Sequence, residues 1–444
     1  MKILLTTLGS RGDVQPYLAL AVGLKNAGHH PTLAAPETFS EWIQPYGVEA
    51  APIRFNPQEV MQRLGKGGGG IRTLISMLSL LKSGMAEAQD DVWRAAQDTD
   101  FILQSATGMG ALEAASLLGI PAAFAYLFPF APTRAFPMFW LPYRFSLGGG
   151  YNLLTHKMMA RLLWKFGGPV NNQWRKRLGL KPFRSPDELF AHAQTLNTPF
   201  LYGYSPTLLP KPADWDALQH VTGYWYLNEP DDFQPPADLL HFLESGPPPV
   251  YIGFGSMNSE NPERQTQIAL KALEMTGQRG LLLTGWGGMS RVASSSPAPP
   301  SAPDGLPNPS EAGIWQSPLS ERVFFIENIP HSWLFPRVAA VVHHGGAGTT
   351  GAGLRAGIPS ILTPFGGDQS AWADLVVKAS VGPKTPGIQK LTAEKLADSI
   401  QTALHDHDLR TRAAALGEKI RAENGIAHAV EIIERHAATY HPPQ

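Results

Sequence analysis

The chain has 444 residues, 43% hydrophobic and 16% charged, with 36 basic and 37 acidic side chains and a formal net charge of -1. At roughly 150 residues per domain this length predicts two or three domains with substantial cores. The balanced charge argues against a nucleic-acid binder, whose footprint is basic. The absence of cysteine excludes disulfides, thiol catalysis and cysteine-ligated metal, and fits a reducing, cytoplasmic compartment.

Residues 1–9 are too short an apolar run for a signal peptide and lead into a Gly-rich turn; 3–7 reads as a buried strand. Helical spacing over 16–27 stops at Gly28, and 32–35 is the next strand. A glycine-rich loop at 66–70, expected to be mobile, precedes a strand at 101–105 and a helix at 111–118. Strands alternating with helices predict a parallel sheet covered on both faces. The most apolar region, 118–145, is interrupted by Gly119, Pro121, Pro129, Pro132, Pro137 and Pro142, so it cannot form one membrane helix. Residues 148–150 read as a second Gly-rich loop. The stretch 156–166 is basic and amphipathic, which raises peripheral membrane contact as an expectation.

A Pro/Asp-rich linker at 228–236 separates this half from a second strand–helix alternation. Its strands are expected at 249–253, 280–284, 323–326, 339–343 and 359–363, with a helix at 265–276. Residues 294–309, rich in Ser, Pro and Ala, read as a surface insertion. Two or three helices fill 391–436. The expected fold class is therefore α/β, with two doubly wound domains in tandem.

The strongest chemical signal is Val341-Val342-His343-His344-Gly345-Gly346-Ala347-Gly348-Thr349-Thr350. An apolar strand feeds a Gly-rich turn that opens a helix, where free N–H groups and the positive dipole end suit a diphosphate. Gly346, Ala347 and Gly348 allow close backbone approach, Thr349 and Thr350 add hydroxyl donors, and His344 can donate to a phosphate oxygen. A turn that binds nothing is the alternative. Adjacent His343 and His344 in a strand point to opposite faces and no third ligand is evident, so no metal site is expected. Asp98-Thr99-Asp100 precedes a strand rather than following one, the wrong end of a sheet for a substrate-bound metal.

Pro330-His331-Ser332-Trp333-Leu334-Phe335-Pro336, the Gly-rich turn, Gly353-Leu354-Arg355-Ala356-Gly357 and Pro364-Phe365-Gly366-Gly367-Asp368-Gln369 together resemble UDP-dependent sterol glucosyltransferases. Gly9-Ser10-Arg11-Gly12-Asp13-Val14-Gln15-Pro16 resembles their opening motif, shared with bacterial antibiotic glycosyltransferases. The resemblance implies the GT-B fold, two Rossmann-like domains facing a cleft: an acceptor domain at 1–227, the linker, a nucleotide-sugar domain at 237–410, and helices at 411–444 packing back toward the first domain. The eukaryotic sterol enzymes often carry long N-terminal membrane-binding extensions; a start at the catalytic motif suggests a bacterial-type form.

The resemblance also implies roles. Asp13, on a loop after the first strand, is the candidate general base, with a helix-capping role as the alternative. Ser10, Arg11 and Ser256 are placed near the diphosphate, although Arg11 equally suits a structural ion pair and Ser256 a helix cap. Asp368 and Gln369 suit sugar hydroxyls, since a carboxylate and an amide together accept and donate. Trp286, Ile329 and His331 fall on the nucleobase side. The acceptor region carries Phe124, Tyr126, Phe130, Phe136, Phe139 and Trp140, a density that suits an apolar acceptor or an ordinary core. The implied reaction is inverting transfer of a hexose, glucose from UDP-glucose, to an apolar hydroxylated acceptor, with no cofactor beyond the sugar nucleotide as co-substrate. An epimerase or glycan phosphorylase on the same fold, and an inactive sugar-nucleotide-binding protein, remain open.

Overall fold

The computed structural model describes residues 1–55, 71–230, 233–254, 262–284, 321–327 and 329–442, with side chains of the helix at 71–96 described from residue 84. The loop at 66–70, the insertion at 294–309, Ser256 and Trp286 lie outside the described residues.

Seven strands form the first sheet: β1 (Lys2–Thr6), β2 (His30–Pro36), β3 (Glu49–Ile53), β4 (Phe101–Ser105), β5 (Ala122–Tyr126), β6 (Phe200–Tyr202) and β7 (Gln219–Val221). Five form the second: β8 (Val250–Gly253), β9 (Gly280–Leu283), β10 (Val323–Ile326), β11 (Ala340–His343) and β12 (Ser360–Leu362). The orders are β3-β2-β1-β4-β5-β6-β7 and β10-β9-β8-β11-β12, and every pairing is parallel. Parallel strands need helical crossovers that cover both faces, so the central strands are largely apolar. Leu4, Ile102 and Phe124 face one core of the first sheet, while Ile3, Leu5, Phe101 and Leu103 face the other.

The longer helices are α1 (Arg11–Asn26), α2 (Ile71–Ala96), α3 (Ala111–Leu118), α4 (Gly149–Arg177), α5 (Pro186–Thr195), α6 (Ala237–Glu244), α7 (Pro262–Thr276), α8 (Ala347–Ala356), α9 (Gln369–Lys378), α10 (Ala393–His405), α11 (His407–Ala422) and α12 (Gly425–Thr439). Residues 148–150, expected as a loop, instead supply the N-cap and first turn of α4. Gly148 adopts φ +99, a geometry that glycine reaches without strain at a helix boundary. Helix α12 returns to the first sheet: Ala429, Val430, Ile432 and Ile433 are buried with Ile3, Leu5 and Leu18.

The two halves share one apolar core. Leu354, Leu362, Trp372 and Leu375 of the second half join Tyr126, Phe139 and Tyr204 of the first. Trp372, fully buried, meets Phe139 edge-on at 4.7 Å and Tyr204 at 6.1 Å. At the rim Arg144 pairs with Asp374, its backbone N–H donating to the same carboxylate at 3.1 Å, and Lys378 lies over the Tyr143 ring. Tyr226 donates to the Gly351 carbonyl at 2.9 Å. Truncating Trp372 leaves a cavity in this seam. Trp372→Ala is expected to lower unfolding stability by about 3–5 kcal/mol, read as a shift of the urea midpoint.

Candidate active site

In each sheet the strand order reverses beside the first strand of its half, between β1 and β4 and between β8 and β11. Crevices at the carboxyl ends of strands at such switch points are where open α/β sheets hold ligands. The segment 7–13 follows β1 and the segment 344–350 follows β11, so both chemical motifs stand at switch points. Helices α1 and α8 are in contact. Asp13 acts electrostatically on Asp368, and Arg11 on His331. The two motifs therefore face one another.

Asp13, expected on a loop, is instead the third residue of α1, with Ser10 as N-cap. Its Oδ2 accepts from the Ser10 backbone N–H at 2.8 Å and the Ser10 hydroxyl at 3.0 Å. Both bonds fall on one oxygen, which leaves Oδ1 unbonded among the described residues. Burial pushes the Asp13 carboxyl above the ordinary range, and the bonds from Ser10 hold it back. Gly9, at φ +128, has no room for a side chain: a Cβ there would lie 2.4 Å from Asp13 Oδ2. The capping bonds thus use one oxygen of the carboxylate and leave the other without a bond among the described residues.

Two more contacts fix this loop, and sequence reasoning missed both. Thr7 donates from its hydroxyl to the Asp13 carbonyl at 3.0 Å. Thr107, after β4, accepts from the Leu8 N–H at 3.2 Å and donates to the Leu8 carbonyl, tying together the two loops of the switch point. The Arg11 guanidinium lies over the Trp42 ring at 4.7 Å.

On the facing side, β11 ends at the fully buried His343, whose Nδ1 accepts from the Gly345 N–H at 3.1 Å. That bond pins the turn and places the imidazole proton on Nε2. The His344 ring lies against the turn: a Cβ on Gly346 would stand 2.5 Å from its Nε2. Burial lowers His344 to about 4 and His331 to about 3, and pushes His343 well below its ordinary value. All three are neutral at pH 7, so His344 places no charge beside the turn. Gly346 is the N-cap of α8; Ala347, Gly348 and Thr349 form its exposed or half-buried first turn. Thr350 differs from expectation. It is buried and donates its hydroxyl to the Gly346 carbonyl at 2.9 Å, inside the helix, so its proton is not offered to an anion.

Asp368 is the N-cap of α9, half-buried, and Trp372 donates Nε1–H to its Oδ2 at 2.9 Å. The i, i+4 spacing of the pair is the signal that would have found Trp372. Gln369 is buried, and its Oε1 accepts from the Phe365 N–H at 2.8 Å; that oxygen shapes the preceding turn. Ile329 is half-buried against a core of the second sheet that includes Leu334, Phe335 and Val341, and His331 stacks on Phe335 at 4.3 Å. Of the aromatic segment, Phe124, Tyr126, Phe136 and Phe139 are buried in the first core, Phe130 is half-buried, and Trp140 is exposed.

Among the described residues no cluster of His, Asp or Glu has the arrangement of a metal site. Asp98 and Asp100 bind Lys2 at the start of β1, the amino end of the sheet. Burial, the Trp372 bond and the Asp13 charge together put the Asp368 carboxyl at about 6, with the bond to Trp372 lowering it. Carbon-13 NMR titration should find a midpoint near that value, and Trp372→Phe should move it upward, since the lost donor favoured the charged form.

Residues 3–136 match the glycosyltransferase family 28 N-terminal domain, and residues 310–435 match the C-terminal domain of the erythromycin biosynthesis protein CIII-like family. A sterol 3-beta-glucosyltransferase of Cryptococcus neoformans var. neoformans serotype D is 36% identical over 453 residues, covering 98% of this chain and 27% of its own length. The chain spans under a third of the length of the first curated relatives it matches. Among solved structures, the kitacinnamycin glycosyltransferase superposes with TM-score 0.67 at 17% identity, covering 98% of this chain and 99% of its own. The glycosyltransferase VinC, in complex with dTDP, superposes with TM-score 0.61 at 18% identity, covering 99% and 100%. The two described parallel sheets share the GT-B architecture of these solved structures, and the two domain matches fall one on each half of the chain.

Proposed function

We propose that the chain transfers a hexose, glucose from UDP-glucose, to a hydroxyl of an apolar acceptor such as a sterol, with inversion to a β-glycoside. The acceptor is taken by residues 1–227 and the sugar nucleotide by 237–410. The observation that carries the reading is the apposition of Asp13, with Oδ1 unbonded among the described residues, to Asp368 and the N-terminal turn of α8. The sterol glucosyltransferase relative supports glucose and a sterol, and VinC, solved in complex with dTDP, supports a nucleoside diphosphate as ligand.

Asp13 takes the proton of the acceptor hydroxyl as its oxygen attacks the anomeric carbon from the face opposite the diphosphate. The bond from that carbon to the phosphate oxygen breaks, and UDP leaves with the bonding pair. The N–H groups of Ala347, Gly348 and Thr349 and the imidazole N–H of His344 take up the developing charge, an electrostatic role. Asp368 accepts from sugar hydroxyls, with Gln369 shaping the turn beneath them. Ser10 orients Asp13. Trp286, Ile329 and His331 are assigned to the nucleobase side, Ser256 and Arg11 to the diphosphate, and Phe130 and Trp140 to the acceptor entrance, backed by Phe124, Tyr126, Phe136 and Phe139. The sugar nucleotide is a co-substrate, and no metal is assigned a role. The lack of cysteine fits a cytoplasmic site of action.

Asp13→Asn keeps the side-chain shape and the bonds from Ser10 while removing the base. Transfer from UDP-glucose, read by product mass across a panel of sterols and other lipophilic alcohols, should fall at least about 100-fold while UDP binding by calorimetry is retained. Unchanged transfer removes Asp13 from the base role, and donor turnover without acceptor points to a different reaction. Asp13 must be ionised to take the proton, and Asp368 accepts hydrogen bonds from the sugar best as the anion. kcat/KM should therefore rise with pH through about 6, the Asp368 value. Stability changes in the opposite sense: a raised folded pKa means the native state holds the proton more tightly, so this carboxyl's contribution is lost as pH rises toward 6.

A further inference from the structure

Helix α4 buries Asn152, Thr155, His156, Val170 and Trp174 and leaves its other face in solvent. The exposed positions Leu154, Lys157, Met158, Arg161, Leu162, Lys165 and Phe166 follow steps of three and four, so they share one face. Leu154, Met158, Leu162 and Phe166 are 51%, 60%, 49% and 55% exposed and make an apolar column about 18 Å long. Lys157, Arg161 and Lys165 make a parallel basic column. Phe145 and Leu147, on the chain leading into α4, are also exposed. Scattered exposed apolar residues are ordinary; a continuous column of them marks an interaction surface.

The charge around this column is segregated. Between Glu113 and Asp187 the sequence has ten basic residues and no acidic one, although the whole chain carries 36 basic and 37 acidic side chains. We propose that this face of α4 seats on an anionic lipid bilayer, with the helix lying in the plane of the interface. The apolar column enters the boundary between headgroups and acyl chains while Lys157, Arg161 and Lys165 pair with anionic headgroups. A second copy of the chain is disfavoured as occupant, because a two-fold contact through this face would bring two basic columns together. A phosphodiester backbone is disfavoured because its contacts are polar and the column offers large aliphatic and aromatic surface.

The surface also adjoins the acceptor segment. On the buried side of α4, His156 Nε2 lies 3.2 Å from the Phe136 carbonyl, and the Phe136 ring packs on Tyr143 and Phe139. An apolar acceptor leaving the bilayer would meet those rings behind the docked helix. That consequence rests on the proposed reaction; the docking itself does not.

The test is cosedimentation of the whole chain, without sugar nucleotide, with vesicles of phosphatidylcholine containing about one third phosphatidylserine, compared with vesicles of phosphatidylcholine alone. The wild type should bind the anionic vesicles and be released as ionic strength rises. Met158→Glu/Phe166→Glu should weaken binding at least about tenfold, and Lys157→Glu/Arg161→Glu should remove the preference for phosphatidylserine. All four side chains are exposed, so thermal melts should match the wild type. Failure of the wild type to bind, or equal binding by the double variants, overturns the proposal. So does a dimer by light scattering that Met158→Glu splits, which would make the face a self-association surface. None of these outcomes depends on transfer, so they leave the reaction to be judged by Asp13→Asn.

Discussion

The packing of Trp372 into the first core is the constraint on which the rest of the site depends. Each sheet has its own switch-point crevice, and neither is useful unless the two face each other. Burying a large aromatic removes roughly 150–250 Å² from water, worth about 4–6 kcal/mol at the usual coefficient. The Arg144–Asp374 pair beside it has a half-exposed arginine, a setting worth about 0–1 kcal/mol. The apolar seam therefore sets how the halves meet, and the ion pair at most adjusts it. The same indole donates to Asp368, so one side chain fixes both the register of the halves and a carboxylate in the cleft.

The electrostatics of the cleft follow from burial more than from charge. His331, His343 and His344 are held neutral by desolvation. Asp13 and Asp368 face each other with raised pKa values. Both sit at helix N-termini, where the dipole favours their anions by about 0.3–2 kcal/mol. An arriving diphosphate would meet oriented N–H groups rather than histidine cations. In the proposed reaction, dipoles already aligned need not reorganise as charge moves to the leaving group, which is the condition for electrostatic catalysis.

The second sheet and strands β1, β2 and β4 of the first were legible because parallel strands covered on both faces are largely apolar, whereas β3, β5, β6 and β7 were not read from the sequence. Residues 101–105 and 323–326 were readable to the residue for that reason. The start of α4 was not: Gly148, Gly149 and Gly150 suggest a loop, yet packing of Asn152 and His156 holds them in a helical turn. Nor was the fate of Thr350, whose hydroxyl has an intrahelical partner four residues back that sequence cannot distinguish from a ligand. The contact of Arg144 with Asp374 spans 230 residues and has no local signature. The aromatic segment was legible as a density but not as a division, because which rings point inward depends on the path between β5 and α4.

Net charge misleads in a related way. A value of -1 describes the chain as a whole, but a charge in physiological salt is felt over about 8 Å. A partner approaching α4 therefore meets Lys157, Arg161 and Lys165, and not the acidic residues elsewhere that cancel them in the sum. The balanced composition argues against a protein coated in positive charge. It places no limit on a basic stripe confined to one helix, and the alternation of that stripe with Leu154, Met158, Leu162 and Phe166 separates a lipid surface from a nucleic acid. The same helix turns polar and aromatic contacts inward to the segment between β5 and α4, so the proposed docking face outside backs onto an apolar core within.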